Sequence, residues 1–359
     1  MTIRNERQRE FADIWLTHGK FGILNLCPRF GKIFTTINAL EKLNPHCTIL
    51  IAYPDLKIKD SWEEDFETRG YTNPNITYTT HLSLHKLKDK LFDVIVIDEI
   101  HLLSEAQIEA TKELLEGNSC VLGLTGTLSS ATEKTLYDEL HLSVIAEYTI
   151  DQAITEGVIV DYQINVIKVP LDNLTKQNFK GNWITEKARF ERLGWIINKL
   201  AAQGRDTMFM RLARMRVIQS SIAKRNATKE LLHKYKDERI LVFCGVTAIA
   251  DALGIPSYHS KSSEKDVFDD FAEGKGNHLA VVKIGNTGVT YKPLNKVIIN
   301  YFDSNAENLA QKINRCMAFE YNTPDKKAQI YIICSKEDVE QKWLDKALEF
   351  FDKNKIKYI

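Results

Sequence analysis

The chain has 359 residues, 44% hydrophobic and 27% charged, which suits two ordinary domains with a core each and excludes a disordered or fibrous chain. Its 48 basic residues balance 48 acidic ones, so no global field marks it for a polyanion, although a local basic groove suffices to contact phosphates. No apolar run reaches the length of a membrane span and no signal-peptide core opens the chain, so a cytoplasmic protein without a membrane partner is expected. Cys27, Cys47, Cys120, Cys244, Cys316 and Cys334 are scattered, with no CxxC spacing, and are expected as reduced thiols, most of them buried.

In chain order, Asn5 to His18 is expected as a helix with Phe11, Ile14 and Trp15 on one side. Ile23 to Leu26 is a strand, followed by Cys27-Pro28-Arg29-Phe30-Gly31-Lys32 and a helical run from Ile33 to Leu43. Strand, glycine turn, lysine and helix N-terminus form the layout of a phosphate-binding loop. Backbone N–H groups and the helix dipole cradle an anion there, and Lys32 supplies a point charge to the β/γ-phosphates of a nucleotide. Arg29, Phe30, Gly31, Lys32 and Ile33 are therefore candidates for nucleotide binding. The stricter pattern continues Gly-Lys-Ser/Thr, with the hydroxyl helping to hold Mg²⁺; Ile33 stands in its place, and Thr35 and Thr36 point elsewhere on the helix.

Thr48 to Pro54 is a strand with a proline stop, and Ile76 to Thr80 is another, with Thr79 and Thr80 offering hydroxyls to phosphate. Val94 to Ile97 is a short β-branched run that suits a strand buried on both faces of a parallel sheet. Asp98 and Glu99 follow at its carboxyl end, where open α/β sheets bind ligands. One carboxylate, Asp98, suits Mg²⁺ and the other, Glu99, a water to be oriented or deprotonated; a strand end that merely turns into solvent is the alternative. A helix from about Ser104 to Leu115 and a strand at Val121 to Leu124, ending in Thr125-Gly126-Thr127, complete a doubly wound domain over residues 1–150.

The remainder, 151–359, is expected as a second domain that includes a helical basic segment at 185–236. Gln163 to Val169 alternates as a strand, and Thr185 to Leu200 and Arg211 to Lys234 have helical periodicity. Between Arg205 and Arg239 ten basic residues face four acids clustered at the ends, which leaves Arg211, Arg214, Arg216, Lys224 and Arg225 without a local acidic neighbour. These suit either a solvated helix face or a phosphate contact, and Arg211, Arg214 and Arg216 are the nucleic-acid candidates. Ile240 to Cys244, Leu279 to Val282 and Val297 to Asn300 are strands, Ile330 to Cys334 is expected to close the sheet, and Val339 to Phe351 to end the chain as a helix.

Asp98-Glu99-Ile100-His101 resembles the DExH box of superfamily 2 helicases and translocases. Thr125-Gly126-Thr127 resembles their third motif, Gly285 to Thr290 their fifth, and Gln311 to Arg315 their sixth, usually Gln-x-x-Gly-Arg-x-x-Arg. The order and spacing are the family's, and the chain looks most like phage-type and restriction-type DEAD-like helicases. The resemblance implies two tandem RecA-like doubly wound parallel-sheet domains with a nucleotide cleft between them. It further implies ATP and Mg²⁺ as cofactors, hydrolysis coupled to movement on nucleic acid, DNA favoured over RNA, and a bacterial or phage-infected cell. By the same resemblance Gln8 reads the adenine edge, Gly288 lies at the nucleotide, and Lys57, Lys59 and Trp62 belong to a segment touching the nucleic-acid backbone. Gln311 and Arg315 are catalytic candidates, Gln311 in nucleotide sensing and Arg315 in completing the phosphate site, while His101, Thr125, Gly126 and Thr127 serve coupling between the domains. Three departures stand out: Ile33 for a hydroxyl residue, Asn314 for glycine and Ala318 for the second arginine. They leave open a degenerate binder acting as a scaffold or regulator, or a protein partner that supplies substrate choice or the missing arginine.

Overall fold

The computed structural model describes all residues except 1, 119, 180, 263–265, 283–293, 304–305 and 318–325. Two compact units divide the chain, the first running from Met1 to Val160 and the second over most of Asp161–Ile359.

The first unit is one parallel sheet. Its strands are β1 (Phe21–Leu26), β2 (Ile49–Tyr53), β3 (Ile76–Thr80), β4 (Val94–Ile97), β5 (Val121–Thr125) and β6 (Val144–Tyr148), in the order β3-β2-β4-β5-β1-β6. Every pairing among them is parallel. β2, β4 and β5 are buried at every position, as continuous β-branched and leucine runs require of strands covered on both faces. Ten residues beyond position 150 still belong to this unit. Arg4 donates to the carbonyl of Val158 at 2.5 Å, and Arg7 pairs with Glu156, whose carboxylate also accepts from the Tyr148 hydroxyl.

The second unit begins with β7 (Tyr162–Val169) and a two-stranded antiparallel hairpin, β8 (Lys176–Phe179) and β9 (Asn182–Thr185). Then come β10 (Ile240–Cys244), β11 (Ser257–Tyr258), β12 (His278–Val282), β13 (Lys296–Ile299), β14 (Ala328–Ser335) and β15 (Ile356–Tyr358). Its main sheet is also parallel throughout, in the order β11-β12-β10-β13-β14-β7-β15. Both units are thus RecA-like α/β domains, as the sequence implied.

Three expectations change. β14 does not close the sheet, because β7 pairs along its whole length and β15 adds a further strand outside β7. The last helix is Asp338–Ala347, with two short turns before β15, so Phe351 lies outside it. The basic segment is three helices, Glu186–Ala202, Met208–Gln219 and Ile222–Lys234. The expected second helix breaks at Ser220 and Ser221, where the Ser221 hydroxyl caps the N–H of Lys224.

Lys224 has no acid near it in sequence, but it pairs in the interior with Glu340, 116 residues on, at 2.5 Å, and both side chains are fully buried. The other Glu340 oxygen accepts the N–H of Ser335 at 2.7 Å. The pair therefore ties helix 222–234 to the end of β14 and to helix 338–347. Removing one partner strands a charge in the core, whereas removing both does not. Glu340→Ala should lower the unfolding free energy by about 3–5 kcal/mol in guanidinium titrations, and Lys224→Met/Glu340→Met by much less. Equal losses would mean that packing, not charge, sets the cost.

Candidate functional site

The site is built at the carboxyl ends of β1, β4 and β5, three strands at the middle of the first sheet. After β1 the chain turns through Cys27 to Gly31 into the helix Lys32–Leu40. Gly31 caps that helix at φ +99°, and a Cβ there would lie 2.5 Å from the Gln8 amide nitrogen. Glycine is required both by the backbone and by the close approach. Gln8 is buried and donates to the carbonyl of Phe30 at 2.9 Å and, more weakly, of Gly31 at 3.4 Å, so its amide nitrogen holds the loop. Phe30 is buried among Phe11 and Tyr148, with ring centroids 5.7 and 4.8 Å away. Arg29 carries the turn at φ +69°, and Ile33 is half-buried. The hydroxyls of Thr35 and Thr36 are buried and donate back to the carbonyls of Gly31 and Lys32, as hydroxyls inside helices do.

Lys32 reaches across β5 to the end of β4. Its ammonium pairs with Glu99 in a short contact and lies 4.0 Å from Asp98. Burial alone would lower the pKa of Lys32, but the two carboxylates outweigh it and raise it. Asp98 is buried. Its Oδ2 accepts from the Trp62 indole at 3.2 Å and its Oδ1 from the N–H of Glu99 at 3.0 Å. Burial pushes its pKa up, to about 6, with Lys32 opposing and Glu99 adding to the rise. Glu99 itself sits at φ +47°, in the left-handed region that non-glycine residues rarely occupy. Strain of this kind gathers at functional sites.

His101, fully buried in its side chain, faces Thr125 at 2.9 Å and Glu99 at 3.5 Å through Nδ1. Burial lowers its pKa, so it is neutral, and its Nε2 has no hydrogen-bond partner. Thr125 also donates to the carbonyl of Thr127 at 3.2 Å. A Cβ on Gly126 would lie 2.9 Å from the carbonyl of Leu26 and 3.2 Å from Pro28, so the Thr-Gly-Thr turn packs on the phosphate loop. Loop, acidic pair and hydroxyl turn are one connected cluster.

Two residues of this cluster were not assigned to it by sequence. Trp62, expected at the nucleic-acid backbone, is fully buried and orients Asp98. Its spacing with Ile58 and Phe66, every fourth residue of the helix Lys57–Arg69, was the signal for an inward face. His81 is buried, contacts the carbonyl of Asp98 at 2.9 Å, and is held neutral by burial, with its pKa down to about 4.

The nucleic-acid candidates fall into several places. Thr79 is buried at the end of β3 and donates weakly to the carbonyl of Thr80, which is half-buried. Lys57 opens its helix, but its side chain lies outside the described residues. Arg211 and Arg216 are exposed on the helix Met208–Gln219, whereas the Arg214 guanidinium lies 4.0 Å over the Phe190 ring, against the helix Glu186–Ala202. Gln311 is half-buried on the helix Ala306–Ile313, and Arg315 is buried in the turn Asn314–Cys316. Among the described residues, neither amide atom of the buried Asn314 has a hydrogen-bond partner. Gly288, with the whole stretch Gly285 to Thr290, and Ala318 lie outside the described residues.

Residues 223–319 match the family of the helicase conserved C-terminal domain. The whole chain has the fold of solved helicases. A single-residue variant of Saccharomyces cerevisiae Dbp5 bound to RNA and ADP BeF3 superposes with a TM-score of 0.65 at 12% identity, covering 98% of this chain and 89% of that one. The chain thus has this fold, with a match to the helicase C-terminal domain over residues 223–319. A fragment of a putative HsdR subunit of a type I restriction enzyme from Vibrio vulnificus gives 0.63 at 14% identity, covering 99% and 67%. The Pyrococcus furiosus Hef helicase domain gives 0.53 at 13% identity, covering 96% and 99%. No curated protein sequence matches the chain. Among the described residues no helix is long and apolar enough to cross a membrane, and no cluster of three or more His, Cys, Asp or Glu side chains forms a metal site.

The donor set fits Mg²⁺ in one mode. A small hard cation keeps most of its waters and takes one or two carboxylates plus substrate phosphates, so Asp98 beside a phosphate loop is enough. The elevated Asp98 pKa can be checked directly. In the ligand-free protein the Asp98 carboxyl carbon should titrate near pH 6 by NMR, and higher in Lys32→Met, where the opposing charge is gone. Because the folded form holds the proton more tightly than the unfolded one, this group makes stability fall as pH rises from about 4 to about 6. A midpoint near the ordinary aspartate value would show the site to be open to water.

Proposed function

We propose that this helicase-like chain is a nucleic-acid-stimulated ATP hydrolase of the DExH type, converting ATP turnover into movement on nucleic acid. The observation that carries the reading is the convergence of Lys32, Asp98 and Glu99 on a glycine-capped helix N-terminus at the carboxyl ends of the first sheet. As described, Lys32 and Glu99 satisfy each other. Incoming phosphates offer Lys32 a stronger partner, and its transfer frees Glu99 to orient the water that attacks the γ-phosphate.

Mg²⁺, held by Asp98, would neutralise charge building on the phosphate oxygens. Phe30 and Gly31 shape the loop that Gln8 braces, which leaves Gln8's carbonyl oxygen to face an adenine edge. His101 and Thr125 join Glu99 to the turn at Thr127, a path by which the state of the phosphates reaches the nucleic-acid surface. By the resemblance of their motifs, Gln311, Arg315 and Gly288 are assigned to the nucleotide. Phosphate contacts to nucleic acid are assigned to Lys57, Thr79, Thr80, Arg211 and Arg216. Arg214, which covers Phe190, serves the packing of its helix instead.

A second reading, a nucleotide-dependent scaffold with little turnover, is favoured by Ile33 and by the unpartnered amide of Asn314 where the family has glycine. The separating measurement is ATP hydrolysis with and without nucleic acid, using DNA and RNA in parallel. Under the motor reading Lys32→Ala abolishes turnover and weakens nucleotide binding. Glu99→Gln keeps binding and loses about 10²–10⁴ in rate, the usual worth of a general base. Wild-type turnover at background with nucleotide binding intact would establish the scaffold.

A further inference from the structure

Half of the large hydrophobic side chains that stand exposed among the described residues lie between Leu174 and Leu212, in the insertion that separates β7 from β10. Both exposed tryptophans are there: Trp183, 67% exposed on the hairpin, and Trp195, 63% exposed on the helix Glu186–Ala202. Neither is needed by the fold. The core of this insertion is Leu171, Phe190, Val217 and Ile218, and on the helix that carries Trp195 the buried hydrophobic side chains are Phe190 and Ile197. Aromatic side chains left exposed and unused by the core mark a recognition surface.

The charges beside it point to the ligand. Arg189, Arg192, Trp195 and Lys199 follow at spacings of three, three and four, so they form one ridge about 15 Å long at 1.5 Å per residue. Lys199 lies 5.1 Å over the Trp195 ring, and Arg189 lies 3.5 Å over Phe179 of the hairpin. Among the described residues Arg189, Arg192 and Lys199 form no ion pair, although exposed lysines elsewhere, such as Lys59, Lys112 and Lys275, do. In the hairpin register Trp183 lies opposite Asn178, so it shares the face of Lys176 and points away from Phe179.

We infer that this ridge binds single-stranded nucleic acid, its bases stacking on Trp195 while Arg192 and Lys199 meet the phosphates. A duplex keeps its base faces covered and presents only phosphate, so an exposed indole beside unpaired cations fits a single strand. This rests on the reading of the chain as a nucleic-acid motor and adds the form of its track. Stacking on an aromatic side chain is sequence-tolerant, which suits a surface that must release and rebind as the chain moves.

The test uses the full chain, with an oligo-dT and an oligo-U strand and a blunt duplex of equal length as probes, at one fixed salt concentration. Trp195→Ala should weaken single-strand binding about tenfold, Trp195→Phe should keep most of it, and duplex binding should hold in both. Single strand should quench the wild-type tryptophan fluorescence, and less so in Trp195→Phe. ATP hydrolysis without nucleic acid should be unchanged, since Trp195 lies outside the nucleotide machinery. Single-strand affinity unchanged in Trp195→Ala would overturn the proposal and give the ridge to a protein partner. So would equal losses for single strand and duplex. Loss of stacking in Trp195→Ala alongside a wild type that hydrolyses no ATP would uphold the ridge and sink the motor.

Discussion

The contact on which the first unit turns is the one between Lys32 and Glu99. A sheet covered on both faces gives its strand ends little water, and an unpaired ammonium or carboxylate there is costly. Lys32 is nonetheless half-buried at the head of its helix, and Asp98 is buried at the end of β4. Each makes the other tolerable. Around this exchange the site is braced rather than loose: Trp62 and the N–H of Glu99 hold Asp98, Gln8 holds the glycine turn, and Thr125 holds His101. A phosphate that drew Lys32 away would alter all of these contacts at once, because they share partners.

Much of this was legible in the order of residues. Two parallel sheets follow from β-branched runs separated by helical periods. The convergence of the Gly31-Lys32 turn with Asp98-Glu99 follows from both lying at strand ends, where parallel sheets put their sites. What was not legible depended on pairings that local pattern does not carry. β15 is three residues long, with half-exposed Ile356 and exposed Tyr358, and becomes a strand because the edge of β7 is there to receive it. Ser220 and Ser221 broke a helix whose apolar period runs through them. Trp62 lies inside because it follows the helical period of Ile58 and Phe66, whatever the charge of its neighbours Lys57 and Lys59.

The basic segment shows how little a run of like charge says by itself. Five cations there had no acid near them in sequence, and the fold gives them different fates. Lys224 is buried on Glu340, and the Arg214 guanidinium lies flat on Phe190. Arg211 and Arg216 remain exposed, with the Arg211 Nε donating to the Thr207 hydroxyl. A planar guanidinium over a ring covers apolar surface as well as carrying charge, which is why Arg214 can serve a core that lysine would not.

The same logic bears on Ile33. A hydroxyl at that position would stand in the first turn of the helix, yet the two threonines that follow have turned theirs back onto the carbonyls of Gly31 and Lys32. Under the proposed function, therefore, the helix head would offer phosphates its backbone N–H groups, its dipole and one lysine, and the protein's share of any metal would fall to the end of β4. A Mg²⁺ ion tolerates this, since it surrenders few waters and takes its remaining ligands from the nucleotide. Under the proposed function the labour would divide by strand: the loop after β1 would take the anionic charge, and the end of β4 the cation and the water. Lys32 spans β5 to join the two halves, so the occupancy of one is felt at the other.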